Sequence, residues 1–255
     1  MMAMTGTVPM RSEAAHRSEM TNQLLFGELA HVLAISGDFV LVQTQYENYE
    51  GWCQKSQLLA VPATWVSSPP QPEALAGDFA QLIQVNGEDM RVPLGSNLRL
   101  FQNNQLALGA YVFDNKGTVH VPQAATPGTE AMVQLAKSYL NTPYLWGGRS
   151  VFGIDCSGFT QQVFRFFGQY LPRDAYQQAE LGRDLGFLAE GQSGDLAFFD
   201  NAAGKITHVG MLLGPQTIVH ASGKVRIDPI DQEGILHAIT GERTHHLRLV
   251  KRYTA

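Results

Sequence analysis

The amino-acid sequence predicts an α+β domain that follows two small all-β units, and three observations support this prediction. Residues 1–124 hold short β-branched and aromatic runs separated by turn residues. Between about residue 126 and Gly168 the apolar residues change to helical spacing, and beyond residue 194 strand-like runs return. Helices followed by antiparallel strands are typical of an α+β fold. We therefore predict domains at residues 1–66, 67–124 and 125–255.

The two β units are recognised by their turns. In the first unit, Ser-Gly-Asp and Asn-Tyr-Glu-Gly separate the short apolar runs. The Pro-rich stretch SSPPQPEA, residues 67–74, predicts a linker. In the second unit, Val-Asn-Gly, Asn-Asn and Asn-Lys-Gly lie between alternating runs, which is the pattern of a second small barrel. Cys53, within YEGWCQK, is predicted to be an apolar strand residue without a chemical role.

Two helices are predicted in the third segment. The first has apolar residues at i, i+3, i+4, i+7 and i+8, and Thr126 or Thr129 can cap it. The second begins beside Cys156 and ends at Gly168. The apolar positions are Met132, Leu135, Ala136, Tyr139 and Leu140 in the first helix and Phe159, Val163, Phe166 and Phe167 in the second. Strands are expected in DLAFFD, HVGMLLG, TIVHAS and LRLVKRY.

Composition excludes several classes of protein. The chain has 255 residues, 44% of them hydrophobic and 16% charged, as in ordinary globular proteins. A net charge of −5 and a pI near 5.9 give no reason to expect nucleic acid or an anionic membrane as a partner. No stretch approaches the ~20 apolar residues of a membrane-spanning helix. The start lacks the basic and apolar regions of a secretory signal, so we expect a cytoplasmic location unless a leader has been removed.

Cys156 lies where a glycine-containing stretch, GIDCSGF, becomes a predicted helix. Unpaired N–H groups and the helix dipole at such a position favour the thiolate, which is the nucleophilic form of cysteine. Many cysteines at helix starts are nevertheless inert, so position alone leaves both interpretations open. Asp155, directly before Cys156, can cap the helix through its side chain.

Two histidines favour the chemical interpretation. His208 opens the strand HVGMLLG and His220 lies near the end of the strand TIVHAS. If these strands pair around the Gly-Pro-Gln turn, both rings emerge at one end of the sheet and can serve one thiolate as base and orienting group. The alternatives are two solvent-exposed rings or a zinc site, although no thiol or carboxylate stands at ligand spacing beside them. The other histidines, among them His237, His245 and His246 near the chain end, are expected to be surface residues.

Five motifs in order resemble the NlpC family of cysteine peptidases. They are YLWGG, GIDCSGF, GDLAFF, HVGMLLG and VHASG, within about residues 126–254. The stretches RSEMTNQLLFGE and YEGW resemble the bacterial SH3-like domains that precede this catalytic domain in murein-peptide recycling enzymes. The resemblance implies an α+β papain-like catalytic domain preceded by two small all-β SH3-like barrels. It also implies cleavage of bacterial cell-wall peptides after γ-linked D-glutamate.

The resemblance further implies catalytic roles for four residues. Cys156 would be the nucleophile, His208 the general base and His220 the group that orients His208. Tyr144, in PYLWGG, would help to stabilise the oxyanion together with the backbone N–H of Cys156. The alternative for Tyr144 is a packing aromatic.

A second group of residues would contact the substrate, and five of them have a structural alternative. The group is Glu28, Tyr49, Trp146, Asp155, Ser157, Arg173 and Asp174. Glu28 and Tyr49 would bind a free α-amine and reject an acylated one; otherwise Glu28 is an exposed turn acid and Tyr49 a strand aromatic. Arg173 would meet a substrate carboxylate or form a structural ion pair. Trp146 can instead be a packing aromatic, and Asp155 only a helix cap.

The function implied by the resemblance is that of a γ-D-glutamyl-L-diamino acid endopeptidase. Its substrates would be murein peptides with a free N-terminal L-Ala, its product L-Ala-D-Glu, and neither cofactor nor metal is expected. The alternatives are a wall endopeptidase that acts on intact peptidoglycan, a cell-wall binding protein with a silent catalytic domain, and an enzyme that transfers the acyl group to a lipid or amine. The joint presence of Cys156, His208 and His220 argues against a silent domain.

Overall fold

The structure is a computed structural model and describes residues 1–67, 73–123 and 128–253. Contacts divide the chain into two compact units. The first unit comprises Met1–Pro122 and Trp146–Phe152, and the second comprises Gln123–Leu145 and Gly153–Ala255. Most of the predicted linker at 67–74, and the alternative cap Thr126, lie outside the described residues.

The first unit is built from short antiparallel strands, and in some of them buried side chains alternate with more exposed ones. The strands are β1 (Met2–Ala3), β2 (Thr7–Arg11), β3 (Met20–Leu25), β4 (Ala30–Ser36), β5 (Phe39–Thr44), β6 (Glu50–Gln54), β7 (Leu58–Leu59), β8 (Leu75–Ala76), β9 (Ala80–Val85), β10 (Glu88–Pro93), β11 (Gln105–Leu108), β12 (Tyr111–Asn115), β13 (Val119–His120) and β14 (Arg149–Ser150). A 3-10 turn at Lys55–Gln57 and helix α1 (Ala63–Ser67) complete it. One sheet has the order β3-β2-β6-β5-β4 and another β10-β9-β12-β11.

A shared core joins the segments before and after residue 66. Phe26 packs against Phe113 of β12, with ring centroids 5.6 Å apart. Beside it, the backbone N–H of Asn97 donates to the Phe26 carbonyl at 2.7 Å. Gly27, at φ +77°, lies so close that a Cβ atom would be 1.9 Å from the Asn97 carbonyl oxygen. Cys53 is buried in a separate cluster under β2, β5 and β6, as predicted for an apolar strand residue.

The second unit contains helices followed by antiparallel strands. The helices are α2 (Glu130–Ser138), α3 (Cys156–Arg165) and α4 (Ala175–Gln178), with a 3-10 turn at Leu188–Glu190. The strands are β15 (Gly153–Ile154), β16 (Arg183–Leu185), β17 (Leu196–Asp200), β18 (Ile206–Gly214), β19 (Thr217–Ser222), β20 (Lys224–Asp231), β21 (Gly234–Leu236) and β22 (Arg243–Arg252). Helices α2 and α3 and strands β17, β18, β19 and β22 coincide with predicted elements. Thr129 caps α2 by accepting a hydrogen bond from the Met132 N–H at 3.3 Å.

All strands of the second unit except β15 form one sheet with the order β16-β22-β17-β18-β19-β20-β21. Because β21 also pairs with β22, the sheet closes on itself. Helix α3 packs against β18 and β19, with Phe159, Val163 and Phe164 buried. This packing brings the start of α3 to the strands that carry His208 and His220. Among the described residues, no helix is long and apolar enough to cross a membrane.

Candidate active site

Cys156 is the first residue of α3, as predicted. The preceding residue, Asp155, has an extended backbone, and its carboxylate accepts a hydrogen bond from the Gly158 N–H at 2.7 Å. This is the N-cap that the sequence suggested, since it satisfies a backbone donor that the helix itself leaves unpaired. The cap fixes the position of Cys156, whose side chain is buried.

The protonation of Cys156 differs from the sequence-based expectation of a thiolate. Burial raises the pKa of the Cys156 thiol to about 12, and the neighbouring Asp155 carboxylate acts in the same direction. Hydrogen bonds from the backbone N–H groups of Val209 and Ser157, and the charge of Arg173, act in the opposite direction but do not compensate. The resting residue is therefore a thiol. The Val209 contact places its sulfur beside the residue that follows His208.

His208 and His220 lie on one face of the β18–β19 hairpin. The register pairs His220 with Gly210, so His208 is a diagonal neighbour of His220 on the same face. The Nε2 atom of His208 lies 2.8 Å from the Nδ1 atom of His220. A Cβ atom at Gly210 would come within 2.8 Å of the His220 Cβ and 2.7 Å of the Ile218 Cδ1. Because Gly210 has no side chain, this face of the hairpin has space for the rings of His208 and His220.

Asp228 extends this pair into a chain of three side chains. Its Oδ2 atom lies 2.9 Å from His220 Nε2 and accepts from Arg226 Nε at 2.7 Å, while Oδ1 accepts from the Ala238 N–H at 2.9 Å. Although burial opposes it, the hydrogen bonds from His220, Ala238 and Arg226 hold the pKa of Asp228 well below its usual value. Asp228 is therefore an ionised acceptor.

The hydrogen bonds determine the tautomers of both rings. Because Asp228 only accepts, His220 carries its proton on Nε2, and its Nδ1 is an acceptor. His208 then donates from Nε2, and its own Nδ1 is unprotonated. Burial lowers the pKa of His208 well below the usual value, with His220, His245 and Arg226 adding to the effect. His208 is thus a neutral imidazole with a basic nitrogen available for a thiol proton.

His245 stacks on His208, although the sequence suggested a surface position in a polar loop. It lies on β22, and its ring centroid is 4.1 Å from that of His208 with 23° between the planes. Burial lowers the pKa of His245 to about 4, and His220 contributes to this shift. The expectation of a surface residue was wrong because β22 pairs with β17 in the same sheet, and this pairing brings His245 to the cluster.

The three imidazoles are close enough to raise the question of a metal. One nitrogen of each of His208, His220 and His245 lies within 4.8 Å of the others. A metal ion must lie near the plane of each ring that binds it, whereas the rings of His208 and His245 are stacked face to face. It would also have to break the hydrogen bond between His208 and His220. The arrangement fits a proton relay better than a metal centre.

Arg173 forms a buried ion pair with Asp155. Its Nη2 atom lies 2.5 Å from Asp155 Oδ2, and its Nη1 atom lies 3.1 Å from Oδ1 and 3.0 Å from the Ser157 hydroxyl. Arg173 is 2% exposed. This is the structural ion pair that the sequence suggested as the alternative to substrate binding by Arg173. It joins Asp155, Ser157 and Arg173 at the start of α3. Their contact with substrate stays a prediction.

Tyr144 and Asp174 lie in the same unit. Tyr144 is half-buried, and its backbone N–H donates to the Gly223 carbonyl, one residue beyond β19. Burial raises the pKa of Tyr144, and the Asp155 carboxylate acts in the same direction, so the Tyr144 hydroxyl stays protonated. Asp174 begins α4, and its backbone N–H donates to the Gln177 side chain at 3.2 Å. Burial raises the pKa of Asp174, which the charge of Arg173 opposes.

The remaining predicted residues belong to the first unit. Glu28 is buried rather than an exposed turn acid, and its carboxylate accepts from the Leu25 N–H at 2.9 Å and pairs with Arg149 at 3.1 and 3.3 Å. Arg149 also lies 3.5 Å from Glu47. Tyr49 is partly buried against the core of this unit. The side chain of Trp146 is exposed, and its Nε1 donates to Glu19 at 2.7 Å.

Sequence reasoning missed three residues of the histidine cluster and one cation of the first unit. They are Asp228, Arg226, His245 and Arg149. A hairpin signal was present for two of them, because a turn at Gly223 places Arg226 opposite His220 and Asp228 one diagonal step further on the same face. No local pattern marked His245, since its contacts depend on how β22 pairs with β17.

Comparisons with known proteins match segments in both units. The model of the NlpC/P60 family matches residues 141–244, and that of the bacterial dipeptidyl-peptidase Sh3 domain matches residues 10–58. Gamma-D-glutamyl-L-lysine dipeptidyl-peptidase of Bacillus subtilis is 33% identical, over 78% of this chain and 71% of its own length. The protein of that name from Bacillus cereus is 29% identical, over 89% and 76%. The crystal structure of a NlpC/P60 family protein from Bacillus cereus has a TM-score of 0.73 at 25% identity, covering 92% of this chain and 83% of the other.

Proposed function

The chain belongs to the NlpC/P60 family of cysteine peptidases, and on this basis we propose that it hydrolyses the γ-D-glutamyl-L-diamino acid bond of murein peptides with a free N-terminal L-Ala. The hydrogen-bonded chain His208–His220–Asp228 beside Cys156 carries the proposal. The names of the relatives, gamma-D-glutamyl-L-lysine dipeptidyl-peptidases, support the substrate class. Such an enzyme would release L-Ala-D-Glu during the recycling of cell-wall peptides.

The reaction proceeds in two steps. His208 accepts the thiol proton at Nδ1 while the Cys156 sulfur attacks the γ-carbonyl carbon of D-glutamate. The imidazolium then gives this proton to the amine of the diamino acid as the C–N bond breaks, which leaves L-Ala-γ-D-Glu bound as a thioester. Water, deprotonated by His208, attacks the thioester and releases L-Ala-D-Glu and the thiol. Because the resting Cys156 and His208 are both neutral, proton transfer accompanies the attack.

Two donors stabilise the oxyanion that forms during each attack. The backbone N–H of Cys156 is at the start of α3, where the helix leaves its N–H groups unpaired. Tyr144 adds its hydroxyl, which stays protonated because burial raises its pKa. Donors directed at a developing oxyanion lower the barrier by about 3–4 kcal/mol each.

Recognition of the free α-amine is assigned to Glu28 and Tyr49. Glu28 is held by Arg149 and by the Leu25 N–H, so its carboxylate has a fixed orientation in the first unit. A fixed carboxylate attracts an ammonium group and leaves an acylated N-terminus without a charge partner.

The first unit would also contain a second SH3-like barrel at residues 67–124, a view supported by the β10-β9-β12-β11 sheet. The papain-like arrangement of the second unit is supported by a cysteine at a helix start that is hydrogen-bonded to the backbone of Val209, the residue after His208.

Mass spectrometry of the products from L-Ala-γ-D-Glu-L-Lys and its N-acetylated form tests the proposal. We expect cleavage of the free peptide alone, with release of L-Ala-D-Glu and L-Lys. Cys156→Ala should abolish cleavage, whereas the matched variant Cys53→Ala, in the other unit, should retain it. Equal cleavage of both peptides would contradict the amine requirement and indicate a wall endopeptidase. Cleavage of neither would contradict the substrate assignment, and product formation only with an added amine would indicate an acyltransferase.

A further inference from the structure

His245 makes the closest ring contact of the candidate base. Its centroid is 4.1 Å from that of His208, against 5.0 Å for His220 and 5.6 Å for Phe199. It is also the one of these three rings that lies parallel to His208, with 23° between the planes, compared with 82° and 47°. We infer that His245 is a positioning residue that holds the plane of the His208 ring during proton transfer, an inference that rests on the proposed peptidase function.

The stacked contact with His245 restrains a rotation of the His208 ring that the hydrogen bond to His220 does not restrain. The hydrogen bond between His208 Nε2 and His220 Nδ1 fixes one atom of the ring, and the ring can still turn about the axis through that atom. A parallel ring at van der Waals distance resists this rotation. The orientation of Nδ1 toward a thiol proton is set by this rotation, so its loss would misalign the proton transfer.

His245 is itself held in place. Its Nδ1 atom lies 2.9 Å from the Thr244 hydroxyl, and its ring makes edge contacts with Phe199 at 5.8 Å and with His220 at 5.6 Å. The ring is therefore anchored from β17, β19 and its own strand β22. Its next neighbour on β22, His246, is exposed. His245 and His246 are therefore adjacent histidines, one inside the cluster and one outside it, and they can be compared by substitution.

The groups that surround His208 determine the pH dependence of a change at His245. His220 acts from β19 and Arg226 from β20, and Asp228 acts through its bond to His220. On the side of α3, Cys156 is hydrogen-bonded to the backbone of Val209, the residue that follows His208. Burial is the largest cause of the lowered pKa of His208, and the charges of His220, His245 and Arg226 act in the same direction. The stacked ring of His245 covers one face of His208. Opening the face of His208 to water should therefore raise its pKa toward 6.5 and move the acid limb of the pH profile upward.

The test uses the full chain with L-Ala-γ-D-Glu-L-Lys as substrate and the variants His245→Ala, His245→Phe and His246→Ala. Steady-state kinetics between about pH 5 and 9 give kcat and KM, and circular dichroism checks that each variant is folded. We expect His245→Ala to lower kcat about 10- to 100-fold with KM nearly unchanged, because only alignment is lost. His245→Phe should restore most of kcat, since phenylalanine can stack without titrating, and His246→Ala should match the wild type.

Wild-type kcat in folded His245→Ala would overturn the inference, and so would equal losses in His245→Ala and His245→Phe. A proton NMR titration of the His208 ring, without substrate, gives a second readout. Its pKa should be higher in His245→Ala than in the wild type or His245→Phe. Absence of wild-type turnover would contradict the proposed function. The positioning role would still be tested in that case, because the titration does not depend on peptide cleavage. An unchanged His208 pKa in His245→Ala would contradict that role.

Discussion

Asp228 determines which nitrogen of His208 carries the proton. Its ionised carboxylate accepts from His220 Nε2, which leaves His220 Nδ1 to accept from His208 Nε2. The proton positions follow from this one acceptor, although Asp228 is two side chains away from Cys156. The sequence predicted Cys156, His208 and His220 but assigned no orienting acid to this group.

Asp228→Asn should lower kcat by at least about 100-fold, because an amide can donate to His220 Nε2 and reverse both tautomers. His208 would then carry its proton on Nδ1 and could not accept one from the thiol. Peptide cleavage followed by mass spectrometry measures the loss. Asp231→Asn is the matched control, since Asp231 lies on the same strand but pairs with Arg243 at 2.7 Å. Equal kcat values for the two variants would contradict the tautomer assignment.

The reactive residues could be predicted because each is marked by local sequence. Cys156 follows a capping residue at a helix start, and His208 and His220 lie on strands with an obvious turn between them. The protonation state of Cys156 could not be predicted from local sequence. A helix start favours the thiolate, but burial of the side chain and the carboxylate of Asp155 depend on the tertiary structure and raise the pKa to about 12.

The start of α3 is stabilised by a buried charge pair. Asp155 caps the helix and at the same time pairs with Arg173, which lies just before α4. Removing one partner of a buried pair leaves an uncompensated charge, and this is more destabilising than loss of a surface pair. Arg173 therefore links α3 to the segment that leads into α4.

Arg173→Met should destabilise the protein by about 3–5 kcal/mol, because it leaves Asp155 buried without its cation. Urea unfolding followed by circular dichroism measures this change. Arg248→Met should change stability by less than about 0.5 kcal/mol, since Arg248 is 63% exposed and lies 3.8 Å from Asp200. A raised KM with unchanged stability in Arg173→Met would indicate instead that Arg173 binds a substrate carboxylate.

Helix and hairpin elements were predicted well because periodicity and turn residues are local. Helices α2 and α3 and the β18–β19 hairpin follow from apolar spacing, caps and a Gly-Pro-Gln turn. The closure of the sheet has no such signal, because it also requires β22 to pair with β17, which is distant in sequence, whereas the β21–β22 pair is a local hairpin. His245 and its stack on His208 are consequences of that closure.

At the scale of the whole molecule, the sequence indicated three segments, whereas contacts group the chain into two compact units. Within the first unit, Phe26 and Phe113 share one core across the predicted boundary near residue 66. The short segment Trp146–Phe152 also groups with the first unit, although it lies between residues of the second. Turn and linker signals show where elements end, but they do not show which elements share a core.

In the proposed mechanism, Cys156 forms a thioester with the γ-carboxyl group of D-glutamate. Rapid mixing of the protein with L-Ala-γ-D-Glu-L-Lys, acid quench and peptide mapping by mass spectrometry test this most directly. We expect an L-Ala-γ-D-Glu acyl group on the peptide that contains Cys156 and none on the peptide that contains Cys53, the other cysteine of the chain. Turnover of the peptide by Cys156→Ala without any acyl adduct would contradict it.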